Sequence, residues 1–168
     1  MIGQLVDPMI GTKAPPFALY GSSKRFSFSE IILKKQWLIL YFYPKDDTSG
    51  CTIEAKEFSK LAESFGVLNA RVIGISPDPE EAHTRFINQH NLKIHLLSDV
   101  SKEVIKKYAA WGKKNIYGRE VEGVIRSTLI IDPAGEIAFV WRNVKADGHA
   151  REVFSKLREL QGLGRVRR

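Results

Sequence analysis

The chain has 168 residues, 43% of them hydrophobic and 27% charged, with a formal net charge of +7. This balance reads as an ordinary soluble globular protein with one domain and one core. The single cysteine excludes an intrachain disulfide, so nothing points to an oxidising compartment.

The opening stretch MIGQLVDPMIG lacks the basic start and long apolar run of a secretory leader, which predicts a cytoplasmic protein. The most apolar run, WLILYFY (Trp37 to Tyr43), is far too short to cross a bilayer as a helix. It has the length and continuity of a strand covered on both faces, as in a parallel sheet between helices. CTIEAKEFSKLAESFG follows, with Ile53, Phe58, Leu61, Ala62 and Phe65 on roughly one helical face and Gly66 as a candidate C-cap. RVIGIS (Arg71 to Ser76) predicts a second buried strand.

The next helix should start with Asp78 as N-cap, Pro79 at its first position and Glu81 three residues after the cap. IHLLSD (Ile94 to Asp99) is a third, shorter strand. SKEVIKKYAAWG opens with Ser101 and places Val104, Ile105 and Tyr108 on one side of a helix. STLIIDPAGEIAFVW (Ser127 to Trp141) reads as an antiparallel hairpin turning at Asp132-Pro133-Ala134-Gly135. AREVFSKLRELQG closes the domain as a helix with Val153, Phe154, Leu157 and Leu160 facing inward. Strands alternating with helices, followed by a hairpin, predict an α/β sandwich with a mixed sheet. The chain reads as a single domain, 1–168, with its core over about 7–161 and a basic tail over 162–168. The terminal GRVRR has no interleaved aromatics, which favours a solvated tail over a nucleic-acid contact.

Cys51 poses the functional question. A lone cysteine is commonly a small buried hydrophobe. This one falls where a buried strand ends and a helix begins. The first N–H groups of a helix lack internal partners, and the helix dipole is positive there. Both effects favour a thiolate, which moves the reading toward a reagent. Thr48 lies three residues before Cys51 and Pro44 seven before. A threonine hydroxyl in that loop can accept a substrate proton and donate to a substrate oxygen, and a proline can shield a thiolate from water.

YFYPKDDTSGCTIEA resembles the active-site segment of the peroxiredoxins, most closely the bacterioferritin-comigratory-protein branch, also called the Q type. GTKAPPFAL, VIGISPDPEEAHTRF, LLSD, YGREVEGVIRSTLIIDPAGEI and VKADGHAREV have counterparts in the same order, from Asp7 to Gln161. The resemblance implies a thioredoxin-like fold with an N-terminal extension and a thiol-dependent peroxidase without metal or other cofactor. It implies that Cys51 is the peroxidatic nucleophile, with Thr48 and Pro44 as companions in its loop. It further implies that Arg126 holds the thiolate and the peroxide, that Glu54 orients Arg126, and that backbone N–H groups around Gly50 and Cys51 face the substrate. Partners would be hydrogen peroxide or an organic hydroperoxide and an external thiol from thioredoxin, glutaredoxin or glutathione. The protein would be a monomer or weak dimer, bound neither to a membrane nor to nucleic acid.

Two positions depart from the pattern. Where many branch members carry a resolving cysteine, five residues after the first, this chain has Lys56, and no later helix supplies a second cysteine. A one-cysteine variant, its sulfenic acid reduced by a thiol from elsewhere, is the implied result. Ser49 replaces the usual proline. Two rival readings compete with this one. A thioredoxin-like reductase needs C-x-x-C, and here Thr48 and Glu54 flank Cys51 at that spacing. Such reductases also carry a cis-proline before the facing strand, and Ile125-Arg126-Ser127 offers none. A redox-sensing or chaperone-like binding protein without significant turnover is the other rival.

Overall fold

Strand β3 (Trp37–Phe42) shows why the apolar run is continuous. Leu38, Leu40 and Phe42 enter one core cluster, and Ile39, Tyr41 and the following Tyr43 enter the other. Alternate side chains of a strand point to opposite faces. With both faces covered, every position must be apolar. The computed structural model describes residues 6–22 and 24–163; the last five residues of the predicted basic tail lie outside them.

Around β3 the sheet has seven strands in the order β2-β1-β5-β4-β3-β8-β9. These are β1 (Ala18–Gly21), β2 (Arg25–Ser27), β4 (Ala70–Ser76), β5 (His95–Ser98), β8 (Ser127–Ile131) and β9 (Ile137–Trp141). β3, β4 and β5 run parallel, while β1 and β8 lie antiparallel to their neighbours β5 and β3. A separate two-stranded ribbon is formed by β6 (Trp111–Ile116) and β7 (Arg119–Val124). Helix α1 (Phe28–Leu33) and helix α4 (Glu103–Lys107) cover one face. Helices α2 (Ser49–Val67), α3 (Glu80–His90) and α5 (His149–Leu160) cover the other. The mixed sheet between helices matches the expected thioredoxin-like α/β class.

The β8–β9 hairpin forms as predicted, with Leu129 opposite Val140. Its turn is closed by Gly135 N–H to Asp132 O at 2.9 Å, and Gly135 takes φ 87°, a left-handed angle that glycine adopts without cost. Other details differ. Ile53 is 42% exposed, because Glu54 and Ala55 take the inward positions of α2. Gly66 lies inside α2; the helix runs on to Val67, and Asn69 supplies the left-handed residue after it. Leu160, at the last turn of α5, is 37% exposed.

Helix α3 starts one residue later than expected. Pro79 is its N-cap in extended conformation, and the carbonyl of Pro79 accepts from Ala82 and His83 N–H. The Asp78 carboxylate is drawn away from the helix by two other donors, Asp46 N–H at 2.9 Å and the Ser76 hydroxyl at 2.6 Å. Among the described residues, no helix is long and apolar enough to cross a membrane.

Candidate active site

The register of β3 against β8 builds this site. Their antiparallel pairing sets Phe42 opposite Ser127, so the end of β3 lies beside the start of β8. Residues just beyond those ends, the Tyr43–Thr48 loop on one strand and Arg126 on the other, are thereby brought together. The loop turns into α2, whose N-cap is Thr48 with φ −86° and ψ 158°. The first helical bond runs from Thr52 N–H to Thr48 O at 2.8 Å. Cys51 is thus in the first turn, where backbone N–H groups have no helical acceptor.

The Cys51 side chain is 1% exposed and belongs to the core under α2. Arg126 Nη2 donates to Cys51 Sγ at 3.3 Å, and Arg126 Nη1 donates to Glu54 Oε1 at 2.6 Å. One planar guanidinium therefore bridges two residues three apart on the same helical face. Gly50 allows this approach: a Cβ there would stand 3.3 Å from Arg126 Nη2, tighter than ordinary contact. The backbone of Arg126 is fixed as well, its carbonyl accepting from Val144 N–H at 3.0 Å.

Glu54 is completely buried. Burial pushes its carboxyl up to about 7, against the opposing pull of the Arg126 charge and hydrogen bond. Its second oxygen, Oε2, has no hydrogen-bond partner among the described residues. Burial also works against the guanidinium charge of Arg126, but the nearby Glu54 and Cys51 outweigh it and raise the group above its usual value. The site thus holds a firmly charged cation against the sulfur by means of a carboxylate that is itself poorly solvated.

Thr48 differs from expectation in one respect. Its hydroxyl donates to Lys45 O at 2.9 Å, on the exposed side of the loop. The proton is engaged there, leaving the oxygen lone pairs as acceptors. Pro44 opens the loop in a half-buried position. Sequence reasoning missed Tyr41, whose buried hydroxyl has no hydrogen-bond partner among the described residues. Burial, then the negative charges of Glu54 and Cys51, raise its ionisation well above the usual value. It also missed Tyr43, Asp46 and His83, which meet beneath the loop. In sequence Tyr43 is only the last apolar residue of a strand, and no local spacing links it to His83.

A model of the AhpC/TSA family matches residues 10–140, which include Cys51, Glu54 and Arg126. A Helicobacter pylori protein named putative peroxiredoxin bcp is 46% identical over 149 residues, 88% of this chain and 97% of its own length. The chain belongs to the AhpC/TSA family, in its Bcp peroxiredoxin branch. Peroxiredoxin Bcp of Bacillus subtilis is 40% identical over 152 residues, covering 90% of this chain and 96% of its own. A crystal structure of a Xylella fastidiosa PrxQ mutant superposes with a TM-score of 0.83 at 34% identity, over 95% of this chain and 99% of the other. The bacterioferritin comigratory protein of Xanthomonas campestris, described for alkyl peroxide reduction, gives a TM-score of 0.80 at 32% identity, over 86% and 91% of the two chains. Against this peroxiredoxin background, the single cysteine and Lys56 mark the chain as a one-cysteine variant.

Proposed function

We propose that the chain is a thiol-dependent peroxidase in which Cys51 is the nucleophile. The observation carrying this reading is the Arg126 guanidinium, 3.3 Å from Cys51 Sγ and braced by Glu54. The thiolate attacks one peroxide oxygen, the O–O bond breaks, and the second oxygen leaves as hydroxide or alkoxide. Cys51 becomes a sulfenic acid. Fixed donors aimed at developing negative charge are commonly the largest contribution to such a barrier. Here they are the Arg126 guanidinium and the N–H groups of the first turn at Gly50 and Cys51. The Thr48 oxygen accepts the peroxide proton and orients it, and Pro44 limits water at the sulfur. Substrates are hydrogen peroxide and organic hydroperoxides, which need positioning more than tight binding.

Lacking a second cysteine, the cycle closes with an external thiol, from thioredoxin, glutaredoxin or glutathione. A cycle that consumes thiol fits a reducing compartment such as the cytoplasm, and a monomer or weak dimer suffices for it. The test is peroxide consumption with and without added dithiothreitol, alongside dimedone trapping after one equivalent of peroxide. Sustained turnover only with thiol, and one dimedone adduct on Cys51, is expected. Stoichiometric oxidation without turnover would favour a redox sensor, and no reaction at Cys51 would overturn the assignment.

A further inference from the structure

Cys51 is closed off from solvent, being 1% exposed. Hydrogen peroxide is small, but an external thiol large enough to need room must wait for the first turn of α2 and the preceding loop to move aside. What fastens that loop therefore bears on the thiol step. Asp46 is the fastening. It lies in the loop yet is only 9% exposed. Tyr43 Oη donates to its Oδ1 at 2.6 Å, and His83 Nδ1 meets its Oδ2 at 2.7 Å. A carboxylate only accepts, so the Nδ1 proton belongs to His83. The Asp46 N–H donates in turn to Asp78. Through one residue the loop is tied to Tyr43 just past β3, Asp78 just past β4 and the first turn of α3. His83 is itself fully buried, and its Nε2 has no partner among the described residues. The peroxide chemistry above makes no use of it.

We propose that His83 is a positioning residue: through Asp46 it holds the loop and the first turn of α2 shut over Cys51, and so sets how fast a bulky thiol reaches the oxidised sulfur. This rests on Cys51 being the peroxidatic residue. In the step concerned, the sulfur of an external thiol RSH attacks Cys51–SOH. The S–S bond forms, the S–O bond breaks, and hydroxyl leaves with the thiol proton as water. A second RSH then attacks the mixed disulfide, releasing RSSR and the Cys51 thiol. Both attacks need an open approach to sulfur that the first reaction, with hydrogen peroxide, does not.

The experiment uses reduced protein, so that it does not depend on turnover. The rate at which 5,5′-dithiobis(2-nitrobenzoate), a bulky disulfide, labels Cys51 is measured in wild type, His83→Leu and His83→Asn. Loss of a buried hydrogen bond to a charged group should raise the labelling rate of His83→Leu about tenfold or more. In His83→Asn the amide nitrogen takes the place of Nδ1, and the rate should stay within about threefold of wild type. Should His83→Leu not fold, Asp46→Ala, which removes the acceptor of both the Tyr43 and the His83 bond, carries the same expectation. Labelling of folded His83→Leu within about twofold of wild type, or an equal rise in His83→Asn, overturns the proposal. Failure of the peroxidase reading would look different: labelling would still rise, while wild type would give no dimedone adduct after peroxide.

Discussion

At the scale of single residues, the bridge from Cys51 through Arg126 to Glu54 separates rate from stability. Arg126→Ala removes a fixed cation from the sulfur and should slow oxidation of Cys51 by about a hundredfold or more. Arg126→Lys should recover only part of that, since an ammonium cannot reach Sγ and Oε1 together in one plane. Stopped-flow measurement of peroxide reduction checks both, and a rate within a few fold of wild type for Arg126→Ala removes the arginine from the site. Glu54 makes the complementary point. Its folded value of about 7 lies above the ordinary 4.5, so the folded chain binds the Glu54 proton more tightly than the unfolded chain does. That contribution to stability is complete below about pH 4.5 and is lost as pH rises through about 7. Relative to Glu54→Gln, which cannot ionise, wild type should lose on the order of 3 kcal/mol across that window. Urea unfolding at a series of pH values measures it, and parallel stability curves for the two proteins would sink the idea. The protein gives up stability near neutral pH to keep a carboxylate where it steadies the arginine.

Among the elements, α2 has the feature most open to change. Thr48 is extended, the conformation a following proline favours, and Ser49 occupies the first helical position, where the N–H lacks a helical acceptor. Ser49→Pro should therefore stabilise the protein by about 0.4–1 kcal/mol, chiefly by restricting the unfolded chain. A raised denaturation midpoint with unchanged m-value would support this, and a lowered one would show that the Ser49 N–H is needed. Elements whose signals are local were readable from sequence alone. β3 and the β8–β9 hairpin carry unbroken apolar runs and a strong turn. Cys51 could be placed at a helix start because the strand before it ends sharply. Arg126 was reachable only through resemblance, since no periodicity ties it to Cys51. The α3 cap departs from its local signal because a distant N–H, that of Asp46, competes for the Asp78 carboxylate. The β6–β7 ribbon has no legible strand signal because Lys113, Glu120 and Glu122 leave it mostly exposed, with no apolar face. The fastening at Asp46 joins residues 43, 46 and 83, and only folding makes them neighbours.

For the molecule as a whole, the two core clusters share one sheet. Leu38, Leu40 and Phe42 serve one side, and Ile39, Tyr41 and Tyr43 the other. Because β3 contributes to both, neither side can lose its packing while the other keeps it. A single cooperative unfolding transition is expected, with far-ultraviolet circular dichroism and tryptophan fluorescence coincident in urea. Two separated midpoints would instead divide the chain into independent units. The contact between Cys51 and Arg126 spans 75 positions of sequence. A ribosome adding roughly 5–20 residues per second makes the cysteine some 4–15 s before the arginine that is to face it. Until β8 docks beside β3, the emerging chain carries an ordinary thiol with no guanidinium beside it. Whatever reactivity the finished site confers on that sulfur is therefore withheld from the nascent chain, and it arrives together with the enclosure that controls access to it.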